Sequence, residues 1–161
     1  MNELKEKLTI SCLTIVFFLS MTFVPAQAQR ASGDVGIGVQ GGSPTGLSIR
    51  FYRPDGMNLD LLAAWDLDDF FFVNGHGLFE SPLGNEGIAH VFYGPGAFIG
   101  IRDRGDDETL DNEIGIGISG TLGLGVMIDK LEIYGRITPR LELIEETDID
   151  IGGGIGLRYY F

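Results

Sequence analysis

From Val35 to the end of the chain, apolar residues recur at every second position, the spacing of strands with two unlike faces. The last two segments show it most cleanly. Leu131, Ile133, Gly135, Ile137, Pro139, Leu141 and Leu143 alternate with Glu132, Tyr134, Arg136, Thr138, Arg140 and Glu142. Ile149, Ile151, Gly153, Ile155, Leu157, Tyr159 and Phe161 alternate with Asp148, Asp150, Gly152, Gly154, Gly156, Arg158 and Tyr160. Six earlier segments repeat the pattern with more noise, which predicts eight strands and no helix after Arg30. The separators carry turn chemistry: Gly42 to Thr45, Arg53 to Gly56, Asp66 to Asp69, Ser81 to Gly87, Asp103 to Glu113, Asp129-Lys130 and Glu145 to Thr147.

Two closed sheets fit this period. A soluble barrel or sandwich, with a lipocalin-like ligand core as one form, turns the apolar parity inward; a membrane barrel turns it toward lipid. The glycines favour the second. They crowd the less apolar parity, at Gly115, Gly117, Gly123, Gly125, Gly152, Gly154 and Gly156. Glycine suits the tight inside of a small barrel, whereas a water-facing strand normally carries Thr, Lys, Glu or Ser. The same parity holds Arg50, Arg102, Arg136, Arg140 and Arg158 against Asp60, Glu132, Glu142, Asp148 and Asp150. Equal numbers predict a paired interior network, because an unpaired buried charge costs several kcal/mol. Aromatics at strand ends, such as Trp65, Phe71, Tyr93 and Tyr159, fit belts at a lipid–water boundary.

The first 28 residues break the period. Leu8 to Val24 is an apolar run behind Lys5 and Lys7, followed by Ala26-Gln27-Ala28. This predicts a secretory signal peptide over 1–28, cleaved after Ala28, and a barrel domain over 29–161. Cleavage would remove the only cysteine, Cys12, leaving neither disulfide nor thiol chemistry.

Composition sharpens the picture. The 161 residues include 25 glycines and carry a formal net charge of −12. That sign argues against nucleic acid, whose binders displace counterions with basic side chains. Hydrophobic residues at 44% are too many for a disordered acidic tail. Most of the negative charge falls in turns, above all between Asp103 and Glu113. That segment offers carboxylates to a divalent cation but lacks EF-hand spacing, and the expectation is a solvated loop with no metal or cofactor. His76, His90, Ser48 and Ser119 share the polar parity, yet no nucleophile motif flanks either serine. No catalytic residue is expected.

The closing Gly156-x-x-Tyr159-x-Phe161, the segment Ile133 to Leu143 and Tyr93-Gly94-Pro95-Gly96-Ala97 together resemble the small outer-membrane β-barrel proteins of Gram-negative bacteria. The likeness is good from Tyr93 onward and rests on pattern alone before it. It implies an all-β, eight-stranded antiparallel up-and-down transmembrane barrel in the outer membrane. It also implies that Gly156, Tyr159 and Phe161 form the signal read by the barrel-assembly machinery. The expected partners are outer-membrane lipid and that machinery, with the chain a monomer. The expected role is structural, in membrane integrity or as an interaction scaffold. The alternatives are a transport or binding barrel for small apolar molecules and, further off, a lipid-modifying enzyme.

Overall fold

A computed structural model of the chain describes residues 30, 33–66, 70–85, 87–102, 113–144 and 148–161. The signal segment and most of the acidic stretch Asp103 to Glu113 lie outside them. Eight antiparallel strands form one closed barrel in sequence order: β1 (Val35–Ser43), β2 (Gly46–Phe51), β3 (Asn58–Asp66), β4 (Phe70–Leu83), β5 (Ala89–Arg102), β6 (Glu113–Ile128), β7 (Leu131–Glu142) and β8 (Ile149–Tyr160). The strand count and the up-and-down order match the sequence reading. The strand ends differ most at β1 and β4: β1 runs through Gly42 to Ser43, which pair with Gly154 and Gly153 of β8. β4 continues through Ser81 and Pro82 to Leu83, because these residues still pair with Val91, His90 and Ala89 of β5.

The register sets the size of the barrel. From Tyr160 the pairing runs through Gly36, Arg50, Asp60, His76, Gly96, Ser119 and Arg140, and it re-enters β8 at Asp150. One circuit therefore climbs ten residues along β8. With strands about 4.8 Å apart and a rise of about 3.3 Å per residue, this stagger tilts the strands by about 40° and gives a backbone radius of about 8 Å. So narrow an interior is filled by side chains. Pro95 of β5 and Pro139 of β7 sit on the outer face at gaps in the β4–β5 and β6–β7 pairing. A residue without an N–H is tolerated where the ladder is already open.

The faces are inverted relative to a soluble protein. Among the described residues, thirteen buried side chains are polar or charged and only eight are hydrophobic. Twenty-nine large hydrophobic side chains point out and are exposed, with Leu124 at 58% and Ile155 at 71%. Fully burying such a side chain stabilises by about 1.5–3 kcal/mol, so an aqueous coat would forgo tens of kcal/mol. Soluble monomers rarely expose apolar patches beyond a few hundred Å².

Inside, glycine makes the room. Many large inward side chains are paired in register with an inward glycine on a neighbouring strand: Phe92 with Gly123, Phe98 with Gly117, His90 with Gly125, His76 with Gly96, Tyr134 with Gly156 and Arg158 with Gly38. A Cβ on Gly123 would lie 2.5 Å from Phe92 Cε2 and 2.7 Å from the Gly135 carbonyl oxygen. Gly41 faces outward, and a Cβ there meets nothing within 4 Å. Accordingly, Gly123→Leu is expected to abolish the folded barrel, while Gly41→Ala leaves it intact. Circular dichroism melts of the two variants refolded in detergent micelles check this.

Candidate functional site: the interior charge ring and the two ends

Four fully buried charges close a ring across the barrel. Arg50 of β2 and Arg158 of β8 alternate with Asp60 of β3 and Glu132 of β7. Arg50 Nε donates to Asp60 Oδ2 at 3.0 Å, and its Nη1 donates to Glu132 Oε1 at 3.2 Å. Arg158 Nη2 donates to the same Asp60 oxygen at 2.8 Å, and its Nη1 donates to Glu132 Oε2 at 2.7 Å. Both guanidiniums thus touch both carboxylates. The ring can close because β1, which lies between β2 and β8, turns only Gly36 and Gly38 toward this level. A Cβ on Gly36 would fall 2.5 Å from Arg158 Cδ.

Neighbouring groups saturate the remaining acceptor positions. Arg136 Nη1 donates to Asp60 Oδ1 at 2.8 Å, and its Nε donates to Gln40 Oε1 at 2.6 Å. Tyr160 donates its hydroxyl to Glu132 Oε2 at 2.7 Å, and His90 Nε2 lies 2.9 Å from Glu132 Oε1. Ser48 Oγ accepts from Arg158. The guanidiniums also lie on aromatic faces, Arg50 4.4 Å from the Phe92 centroid and Arg158 4.4 Å from that of Tyr134. Low dielectric strengthens every one of these bonds and makes any unpaired member costly.

Nine of the ten charges expected inside divide into two groups. Arg50, Asp60, Glu132, Arg136 and Arg158 belong to the buried ring and its surround. Arg140, Glu142, Asp148 and Asp150 sit at the loop end, where the stagger of β7 and β8 carries them above a floor of Phe72 and Phe98. Asp148 and Asp150 are exposed there, and Arg140 pairs with Asp150. The side chain of Arg102 lies outside the described residues.

Two further charges join the ring's surround, beyond the ten expected. Glu80 of β4 places its carboxylate 3.7 Å from Arg50 Nη1. Arg30 precedes the first strand, where no period points to it. It seals the terminal end: it pairs with Glu80, lies 4.1 Å above the Tyr52 ring, and contacts the Tyr160 hydroxyl at 3.4 Å.

The polar candidates for catalysis meet only in part. Ser119 Oγ lies 3.1 Å from His76 Nε2 and 3.1 Å from Asn74 Oδ1. The other ring nitrogen, His76 Nδ1, has no hydrogen-bond partner, so no acid orients the imidazole as a Ser-His-acid device requires. Ser48 serves Arg158 instead. Among the described residues no three His, Cys, Asp or Glu side chains gather as metal ligands. At the chain's end Tyr159 and Phe161 face outward with ring centroids 5.1 Å apart, while Gly156 faces inward beneath Tyr134.

Fold and interior together define an eight-stranded antiparallel barrel with an apolar coat and a charge-paired filling. Two solved structures share this fold. The N-terminal β-barrel domain of Pseudomonas aeruginosa OprF superposes with a TM-score of 0.63 at 12% identity, over 82% of this chain and 100% of that one. Neisserial surface protein A (NspA) superposes with a TM-score of 0.51 at 12% identity, over 80% of this chain and 94% of that one. No family model and no curated protein sequence matches the chain.

Breaking one partner of a buried pair typically costs about 3–5 kcal/mol, because the other charge is left uncompensated. Glu132→Gln and Arg50→Met are each expected to destabilise the barrel by about that much. The double variant should cost clearly less than the sum, since both members of one contact leave together. Urea unfolding in micelles, followed by tryptophan fluorescence, measures the cycle.

Proposed function

We propose that this chain is a small outer-membrane β-barrel whose role is structural: it supports membrane integrity or serves as an interaction scaffold, and it does not conduct. The observation that carries the reading is the inversion of faces. A closed wall with an apolar exterior and a charge-neutralised interior is stable only with hydrocarbon around it. β4 to β8 have 12 to 16 residues each, at or above the length a tilted strand needs to cross a bilayer.

On this reading residues 1–28 are the export signal, and Gly156, Tyr159 and Phe161 form the assembly signal. The terminal end then faces the periplasm, and the four connections at the loop end face out of the cell. The four ring charges are fully buried, which supports a closed interior over a pore. The Ser119–His76 contact lacks an orienting acid, which argues against a hydrolase.

Fractionation with gel mobility tests the assignment. The cleaved protein is expected in outer-membrane fractions, extractable only with detergent, with a mobility in SDS that changes on boiling. In planar bilayers it is expected to give no stepwise conductance. Recovery as a detergent-free periplasmic protein would refute the membrane assignment, and steady conductance steps would refute the plugged interior.

A further inference from the structure

The two ends of the barrel differ. The terminal end is sealed by Arg30, Tyr52 and Tyr160. The loop end opens into a cavity of about 570 Å³, within the range of small-molecule sites. Its floor is aromatic: Phe72 and Phe98 stack with centroids 5.6 Å apart and planes 27° from parallel. Among the described residues its wall is acidic, with Glu142, Asp148 and Asp150 against one guanidinium, Arg140.

Arg140 indicates what this lining holds. Its guanidinium lies 5.2 Å from the Phe72 centroid and pairs with Asp150, and only 10% of its side chain is exposed. A cation is thus already seated between an aromatic face and a carboxylate. Room and charge remain for another. The Glu142 carboxylate lies over Gly115, half-buried, with no ion-pair or hydrogen-bond partner among the described residues. Phe98 beside it is also only half-buried.

We infer that the loop-end cavity is a binding site for a small organic cation, an amine or quaternary ammonium on an apolar body. The charged head would lie between Glu142 and Asp150, and the body against Phe98, with Arg140 as a tethered competitor. An aromatic face attracts such cations through its ring quadrupole, and the partly buried Glu142 carboxylate beside it adds a counter-charge. An anion would meet three carboxylates, and a purely apolar molecule would leave them unpaired. This goes beyond the structural role and rests only on the geometry of the barrel mouth.

The probe is benzyltrimethylammonium, titrated at low ionic strength into the barrel refolded in a zwitterionic detergent. Saturation-transfer NMR on the probe follows binding, with benzyl alcohol as the neutral control. Saturable binding of the cation is expected, with the alcohol at least about tenfold weaker. Glu142→Gln together with Asp150→Asn should weaken binding by about tenfold, and Phe98→Leu by about threefold. Arg140→Met should strengthen it by about threefold, because the competitor is gone. Glu142→Gln alone serves if the double variant fails to show the boiling-dependent mobility of the folded barrel. The inference is overturned by the absence of saturable binding, by equal binding of the alcohol, or by affinities that the carboxylate and Phe98 variants leave unchanged. The readout is independent of which membrane holds the barrel, so its failure and a failure of the membrane assignment are distinguishable.

Discussion

The rest of the structure depends on filling a closed eight-strand wall of fixed radius with charges that cancel. Arg50, Asp60, Arg158 and Glu132 meet this constraint as a ring in which each guanidinium touches both carboxylates. The ring dictates features far from it. β1 must present Gly36 and Gly38 so that arginines from strands on either side can meet. Many large side chains elsewhere face a registered glycine, which is where many of the 25 glycines go. With the polar residues committed to the inside, the alternation of the strands leaves only apolar residues for the outside. The coat and the charge-paired filling are one consequence of the period, seen from its two faces.

The stagger of the strands then makes the ends unlike. At the terminal end Arg30 folds under the ring and closes it with Glu80, Tyr52 and Tyr160. At the loop end the same climb lifts Arg140, Glu142 and Asp150 clear of the ring, above the Phe72–Phe98 floor. A single filling thus gives a sealed base and an open, acidic mouth. Binding at the mouth would place a ligand above the charge ring, without asking the ring to move.

Much of this was legible from residue order alone. Period two located the eight strands and the turns, and parity put Arg50, Asp60, Glu132, Arg136 and Arg158 on one face. Glycine on that parity identified it as the crowded face. The partners were not legible, because contacts across the barrel depend on the shear, and the shear depends on every register together. Asp148 and Asp150 share the parity of Arg158 yet lie at the rim, since parity gives a face and not a height. Arg30 lies outside any strand, so alternation could not reveal it. Ser119 and His76 could be placed on the same face, but that they touch was a matter of register between β4, β5 and β6.

The central claim is that the apolar face meets lipid, and Trp65 offers a direct measurement. It is the only tryptophan in the chain, it lies on the outer face near the loop end of β3, and it is 54% exposed. Its fluorescence can be recorded with the barrel reconstituted in vesicles whose lipids are brominated on the upper acyl chain, and again with iodide in the water. The account predicts strong quenching by the brominated lipid and little by iodide. Quenching by iodide with no effect of the brominated lipid would place this face in water and contradict it.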